Sequence, residues 1–207
     1  MNDKTISERV LSAKSGTDAR AGDVVVCDVD LVIGTDASSP MAIDYFERMD
    51  GARLFDPRRV LFAFDHYSPP TGVKPAGFHE RVRSFASTYG AELHQVGEGI
   101  SFQLAAELGR VRPGDLVIGA DSHTVTLGAL GAFATGVGSS DLAAAMITGK
   151  IWLRVPETIA VTLTARESAA VAAKDVALAM VAALGAEGAN YRSLEFRGSG
   201  VADWTVD

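Results

Sequence analysis

The sequence predicts an α/β fold in which helices cover both faces of a mainly parallel sheet. Apolar runs of strand length alternate along the chain with segments of helical periodicity, and this alternation is typical of layered α/β/α proteins. One apolar run stops abruptly before the polar residues Asp121, Ser122 and His123, and a glycine-rich stretch follows. Such a change indicates the carboxyl end of a strand, where α/β proteins usually bind ligands.

The individual strands and helices follow from these runs. Apolar runs predict strands at 24–27, 60–64, 116–119 and 159–163. Helical periodicity predicts helices at 5–14, 40–49, 77–90, 101–109, 140–149 and 173–184. The second helix has a recognisable start, because Ser39 provides a capping hydroxyl and Pro40 suits the first helical turn. Proline and glycine predict loops at 69–70, 113–114 and 185–188.

The length of the chain limits its domain organisation. With 207 residues it can form one large domain or two small ones. A break at Val155 and Pro156 predicts a main domain at 1–154 and a C-terminal α/β subdomain at 155–207, which is alternatively the start of a further domain. Trp204 has little left to pack against, so we expect either that the tail docks back or that the chain continues.

The composition favours a cytoplasmic globular protein that binds a small molecule. The hydrophobic content of 47% and charged content of 22% are ordinary, and the first residues are polar where a signal peptide would be apolar. A net charge of -7 with dispersed Lys and Arg argues against nucleic acid and anionic membranes as partners. The uncharged stretch 122–140 contains glycines, hydroxyl groups and a histidine, which argue against a membrane-spanning helix.

The only cysteine, Cys27, limits the metal chemistry of the chain. A single thiol cannot supply the several thiolates of a typical iron–sulfur site. Its position in an apolar run indicates a small buried hydrophobic residue. A catalytic thiol is the alternative interpretation.

Two of the four histidines lie beside a carboxylate directly after a predicted strand. Asp65 precedes His66, and Asp121 precedes His123 by two positions. A neighbouring carboxylate can fix the tautomer of an imidazole and stabilise its charged form, which acid–base catalysis uses. Ordinary loop histidines are the alternative for each pair, and His79 and His94 are interpreted as structural.

The glycines at 128, 131, 136 and 138 do not form a known phosphate-binding fingerprint. They match neither the spacing of a dinucleotide-binding turn nor the ending of a P-loop. The segment 136–141 could hold an anion at the start of the helix that follows it. Tight turning and close helix packing explain the same glycines equally well.

Five segments together resemble the aconitase superfamily. The resemblance extends from about residue 5 to 206 and is closest to the N-terminal part of the large subunits of 3-isopropylmalate dehydratase and homoaconitase. The segments that carry it are 65–66, 96–100, 113–124, 128–138 and 149–158. It implies an aconitase-like N-terminal α/β domain.

The resemblance implies a hydro-lyase that moves a hydroxyl group between adjacent carbons of a di- or tricarboxylate. This chemistry needs a base for the proton next to a carboxylate, an acid for the departing hydroxyl, and groups that bind the carboxylates. By motif, the resemblance makes Asp65 and His66 an acid–base pair and Asp121 and His123 further proton-handling groups. It makes Ser122 a substrate-binding hydroxyl.

A looser match places Thr35 and Asp36 in a loop that faces the substrate. The resemblance assigns no metal ligand to this chain.

Three departures from the family pattern bear on activity. Phe102 stands where the family usually has a histidine that assists protonation of the hydroxyl, and an aromatic ring cannot transfer a proton. The cluster-binding cysteines of the family lie in a later part of the large subunit. The family's serine base belongs to a mobile domain, which in the dehydratase is a separate small subunit.

We therefore expect a truncated, large-subunit-like component of a heteromeric hydro-lyase, completed by a second protein. This chain alone binds no cofactor, and an iron–sulfur cluster is expected only if another chain supplies its cysteines. One alternative is a non-catalytic carboxylate-binding homologue. Another is a cluster-independent, stand-alone enzyme that uses the two His/Asp pairs alone or with one divalent ion. All three need these pairs to converge on one cavity.

Overall fold

The computed structural model describes residues 4–164 and 171–203 and confirms the α/β fold class. The part of the chain that it describes contains nine strands and six α-helices. The strands are β1 Val24–Asp28, β2 Leu31–Thr35, β3 Val60–Ala63, β4 Glu92–His94, β5 Leu116–Gly119, β6 Phe133–Gly136, β7 Lys150–Arg154, β8 Glu157–Thr162 and β9 Arg192–Arg197. The helices are α1 Ile6–Ser15, α2 Ser39–Arg48, α3 Val73–Tyr89, α4 Ser101–Glu107, α5 Ser139–Thr148 and α6 Ala173–Leu184.

A five-stranded sheet with the order β4-β3-β2-β5-β6 forms the centre of the molecule. All four strand pairings in it are parallel. Strands β3 and β5 are buried at every position, as expected when both faces of a parallel sheet are covered. The carboxyl ends of all five strands therefore lie at one edge.

Alternate residues of each central strand face two different hydrophobic clusters. In β3, Val60 and Phe62 pack into a cluster with residues of α2, α3 and α5. Leu61 and Ala63 face the second cluster, which includes residues of α4. This period of two shows that helices lie on both sides of the sheet, as the sequence predicts.

The six predicted helices are confirmed, with small shifts at their ends. Helix α3 begins at Val73 rather than at 77, because Pro75 lies in its first turn, where a missing N–H is tolerated. The predicted cap of α2 is wrong by one residue: Ser38 is the N-cap and Ser39 is the first helical residue. The hydroxyl of Ser39 is buried without a hydrogen-bond partner.

Several strands were not predicted. Strand β6 lies in the glycine-rich stretch and lacks a run of large apolar residues. Strand β2 begins with the same Leu-Val-Ile-Gly sequence as the predicted β5, so its composition does not explain why it is absent from the prediction. The segment considered as a membrane span forms a 3₁₀ helix, Ser122–Leu130, followed by β6. Among the described helices, none combines the length and the hydropathy that a membrane span requires.

Two smaller sheets complete the structure. Strands β1 and β7 form an antiparallel ribbon, and Cys27 on β1 lies in the core with its thiol 3.7 Å from the carbonyl oxygen of Leu11. Cys27 is fully buried, which confirms the interpretation as a small buried residue, and this burial raises the pKa of its thiol.

Strands β8 and β9 form a separate parallel pair in the region of the predicted C-terminal subdomain. The division of the chain at 154–155 stays a prediction. Trp204, whose packing was considered above, lies outside the described residues.

Candidate active site

The candidate site lies at the edge of the sheet formed by the carboxyl ends of the strands. Asp36 follows β2, Asp65 and His66 follow β3, and Asp121 follows β5. Because β2 lies between β3 and β5 in the sheet, Asp36 is positioned between the other groups. The order of the strands thus brings together residues that are far apart in sequence.

His66 connects the two predicted His/Asp pairs. Its Nδ1 atom lies 2.7 Å from Oδ1 of Asp65, and its Nε2 atom lies 3.1 Å from Oδ2 of Asp121. The side chain of His66 is 40% exposed, whereas that of Asp65 is only 3% exposed. The imidazole is therefore held between two carboxylates and remains open to solvent, as a group that exchanges protons with a ligand must be.

Asp121 also holds His123, but it directs that ring outward. Oδ1 of Asp121 accepts hydrogen bonds from the backbone N–H of His123 at 2.7 Å and from its Nδ1 at 3.0 Å. The His123 side chain is 80% exposed. Both predicted imidazoles thus meet at one carboxylate, His66 inside the site and His123 at its rim. Ser122, which lies between Asp121 and His123 in sequence, is exposed.

The backbone at the start of α4 supports Asp65. Oδ2 of Asp65 accepts a hydrogen bond of 2.8 Å from the N–H of Ser101. The Asp65 carboxylate therefore has a fixed orientation, with one oxygen on the helix start and the other on His66. Such support is typical of a catalytic histidine that must keep one tautomer.

Thr35 ends β2 and Asp36 lies in the turn that follows, as the resemblance implies, but both side chains are buried. Asp36 is fully buried and Thr35 is 2% exposed. The Asp36 carboxylate accepts three N–H groups: the backbone N–H of His66 at 3.0 Å, that of Tyr67 at 2.8 Å, and Nε2 of His79 at 2.9 Å. Thr35 lies with its hydroxyl 3.0 Å from that of Ser38. Both residues support the site from beneath instead of facing a ligand.

His79 is the site residue that the sequence analysis missed. It lies in α3, is 1% exposed, and stacks on Phe64 with ring centroids 4.0 Å apart. Its partner Asp36 is 43 residues away in sequence. No local motif surrounds His79, so only the long-range packing of α3 on the sheet reveals the contact.

The charges of the site change the proton affinities of its groups. Partial burial disfavours the imidazolium of His66, but the hydrogen bond to Asp65 and the negative charges of the neighbouring carboxylates outweigh this effect and raise its pKa. Burial by itself would raise the pKa of Asp121. Its hydrogen bonds from His123 and the nearby imidazoles lower the pKa of Asp121 instead. The two shifts favour an imidazolium facing a carboxylate.

The glycine-rich turn packs directly on this site. A Cβ atom at Gly136 would lie 2.8 Å from the carbonyl oxygen of Asp121, so a residue without a side chain is needed there. Helix α5 begins after Gly138 without a side-chain cap. The carboxylate of Asp141 lies 3.1 Å from the Cβ position of Gly138. Close packing therefore explains the glycine at 136, and anion binding by this segment stays a prediction.

The donor atoms do not fit a metal ion or an iron–sulfur cluster. Asp36, Asp65 and His66 offer ligand atoms within 4.8 Å of one another. Those atoms are already engaged, since each carboxylate accepts N–H groups and both ring nitrogens of His66 face carboxylates. A cation would have to displace these bonds. Cys27 is one buried thiol on a different sheet, which cannot hold a cluster.

Phe102 and His94 lie outside this arrangement. Phe102, in the place of the family histidine, is 6% exposed and packs in the second hydrophobic cluster. His94 ends β4 with Nε2 3.0 Å from Glu92 and Nδ1 2.8 Å from Glu98. Its nitrogens are satisfied by local carboxylates, so the structural interpretation of His94 agrees with its contacts.

Comparison with known proteins identifies the family. The sequence model of the aconitase family (aconitate hydratase) matches residues 6–207. The 3-isopropylmalate dehydratase large subunit 1 of Methanopyrus kandleri is 45% identical over 204 residues, which are 98% of this chain and 49% of that protein.

The 3-isopropylmalate dehydratase large subunits of Caldicellulosiruptor saccharolyticus and Methanoregula boonei are 42% and 40% identical to this chain. They are matched over 98% and 96% of this chain and 48% of each relative. The chain spans about half the length of the curated relatives it matches. The match confirms the family that the sequence motifs predict: this chain belongs to the aconitase family.

Proposed function

We propose that this chain supplies the proton-handling part of a hydro-lyase that dehydrates and rehydrates a hydroxy di- or tricarboxylate such as 3-isopropylmalate. Membership of the aconitase family and the names of the relatives support this reaction class. The observation that carries the proposal is His66, held between Asp65 and Asp121 at the open edge of the sheet.

His66 is suited to protonate the hydroxyl that leaves the substrate. The raised pKa of His66 favours the imidazolium, which can donate its Nε2 proton to a departing oxygen. Asp121, whose pKa is lowered, remains a carboxylate that aligns this proton and stabilises the charged ring. His123 and Ser122, exposed at the rim, are in position to hydrogen-bond a ligand above His66.

The charge of the site argues that other residues bind the substrate. Three aspartates surround His66, and among the described residues no Lys or Arg forms an ion pair with any of them. A substrate with two or three carboxylates would be repelled from such a cluster unless cations were supplied. We therefore propose a site completed by a second protein subunit, or by the remaining half of the relatives' length.

The absence of cations around these aspartates, among the described residues, and the engaged ligand atoms also separate the alternatives. A non-catalytic homologue that binds carboxylates with this chain alone would need the cations that these three aspartates lack. A stand-alone enzyme with a divalent ion would need free ligand atoms, and those of the site are engaged in hydrogen bonds. An iron–sulfur cluster, as the family resemblance implies, would need cysteines from outside this chain.

The proposal is tested by assembling this chain with the remaining half of the relatives' length, which would carry the cysteines, and with the mobile domain that carries the family's serine base. The purified assembly is reconstituted with iron and sulfide under anaerobic conditions, and dehydration of 3-isopropylmalate is followed. His66→Gln should lower kcat by about 10² to 10⁴, the usual contribution of a general acid. His94→Gln, a matched substitution outside the site, should leave kcat unchanged.

Two outcomes would contradict the proposed function. One is a wild-type assembly that forms a stable complex with its cluster but dehydrates neither 3-isopropylmalate nor citrate. The other is an active assembly in which His66→Gln and His94→Gln behave alike.

A further inference from the structure

His79 is a buried imidazole whose only polar partner among the described residues is a buried carboxylate of the site. Its Nε2 atom lies 2.9 Å from Oδ2 of Asp36, and the two side chains are 1% and 0% exposed. One face of the ring stacks on Phe64 with an angle of 8° between the planes. Such a contact restricts both the position and the rotation of the imidazole.

The hydrogen bonds define which ring nitrogen carries the proton. Because a carboxylate only accepts, Nε2 of His79 is the donor to Asp36. Nδ1 is buried and without a partner. A proton there would leave a buried N–H unsatisfied, which native structures avoid. His79 is therefore held as the Nε2–H tautomer, in which it can act as a fixed donor.

Asp36 passes this restraint to the loop that carries His66. Its two oxygens also accept the backbone N–H groups of His66 and Tyr67 at 3.0 and 2.8 Å. Oδ1 of Asp36 lies 3.8 Å from Nδ1 of His66. One carboxylate thus joins helix α3, through His79, to the backbone of His66, and it lies near the His66 ring without a hydrogen bond to it.

We infer that His79 is a positioning residue that fixes the backbone and imidazole of His66 through the carboxylate of Asp36. A catalytic ring must be held within about 0.5 Å of its working position, and this requires neighbours whose own orientation is locked. His79 meets that requirement because burial, stacking and a charge-assisted hydrogen bond all restrain it. Its consequence for catalysis rests on the proposed hydro-lyase function.

The inference is tested in the isolated 207-residue chain by amide hydrogen exchange measured with NMR. In His79→Leu, Asp36 loses its side-chain donor, so we expect the amides of His66 and Tyr67 to exchange at least about tenfold faster, as loss of one hydrogen bond to a charged group predicts. In His79→Gln, the amide group can donate to Asp36 again and should restore most of the protection.

Two controls separate positioning from general loss of stability. The amide of Val29, bonded to Gly149 at 2.8 Å, lies away from this network and should keep its protection in both variants. His94→Gln removes a different imidazole and should leave His66 and Tyr67 unchanged. Equal acceleration of all three amides in His79→Leu, or no acceleration at His66 and Tyr67, would overturn the inference.

The wild-type chain provides a second measurement if His79→Leu does not fold. The ring N–H of His79 should exchange slowly and appear on Nε2, in contrast to the exposed ring of His123. A ring proton on Nδ1, or exchange as fast as in His123, would also overturn the inference.

The outcomes for His79 and for the proposed function are distinguishable. In the assembled enzyme, His79→Leu should lower kcat by about tenfold or more with little change in KM, because His79 does not face the substrate. His79→Gln should recover activity. Changed amide exchange in an assembly without turnover would refute the proposed function and leave the positioning role intact.

Discussion

Replacing Asp36 by Asn should destabilise the chain more than its small change in volume suggests. The Asp36 carboxylate is fully buried and accepts three N–H groups. An Asn side chain has one oxygen and one NH₂ group, so in either orientation the NH₂ faces at least one N–H. The less costly orientation keeps the oxygen toward Tyr67 and His79 and leaves the N–H of His66 unsatisfied.

The size of this effect follows from the number of unsatisfied groups. An unsatisfied buried donor costs about 1–3 kcal/mol, and both the N–H of His66 and the new NH₂ group lack acceptors. Relief of the cost of burying a charge offsets part of this. We therefore expect a loss of about 2–4 kcal/mol, which shifts the urea midpoint by about 1–2 M at an m-value of about 2 kcal/mol/M.

The assay is urea unfolding of the isolated chain, followed by circular dichroism. Asp44→Asn is the matched control, because Asp44 is 52% exposed and pairs with Arg81 at the surface. Its loss should stay within about 0.5 kcal/mol. Equal urea midpoints for Asp36→Asn and the wild type would refute the assigned network. Replacing one acceptor oxygen by NH₂ must leave at least one of the three buried donors without an acceptor.

Three further predictions concern pH, backbone conformation and the second cluster. The pKa of His66 is raised above its ordinary value of 6.5 in the folded chain. The stabilisation that the charged His66 ring gives the folded state is therefore complete below about pH 6.5 and is lost as pH rises through the folded pKa. The difference in urea midpoint between wild type and His66→Gln should therefore shrink with rising pH, and a growing difference would contradict the sign. Gly149→Ala should cost more than Gly16→Ala in thermal unfolding. Gly149 and Gly16 have similar left-handed φ angles of 69° and 70°, but only at Gly149 would a Cβ meet a neighbour, Phe55 at 2.6 Å. We therefore expect a loss of stability of about 1 kcal/mol for Gly16→Ala and at least about twice that for Gly149→Ala. Phe102→His should lose about 2–4 kcal/mol by the same measurement without gaining activity, because it buries an imidazole in an apolar cluster; full stability would show that a polar partner is available there.

The sequence predicts the parts of this site that follow local rules. Asp65, His66 and Asp121 were found because each directly follows an apolar strand, and carboxyl ends of parallel strands meet at one edge. Strand β2 is absent from the predicted strands, although its five residues are all buried and it begins with the same Leu-Val-Ile-Gly sequence as β5. Asp36 does lie in the turn after β2, as the resemblance implies, but its carboxylate is buried there.

The remaining parts depend on packing between distant segments. Nothing near His79 in sequence indicates its buried contact with Asp36. Its interpretation as structural agrees with its burial, and its positioning role is our proposal. The direction of His123 was equally hidden, because a 3₁₀ helix starts at Ser122 and turns that ring outward. Hydrophobic periodicity reports which side of an element is covered, but it does not report which polar group lies opposite.

The position of each strand in the sheet explains how the site combines rigidity with access. Strand β2 is central, so Asp36 at its end is 0% exposed and can only support its neighbours. On the flanking strands, exposure of the side chains increases from 3% for Asp65 to 13% for Asp121 and 40% for His66.

Buried carboxylates hold their orientation because no water competes for their hydrogen bonds, while the more exposed imidazole can meet a ligand. The same gradient concentrates negative charge around His66, which raises the pKa of the ring and repels a free carboxylate. If His66 acts on a hydroxy acid as we propose, cations from another segment or subunit must hold the substrate. The incomplete charge balance therefore supports the proposed composite site.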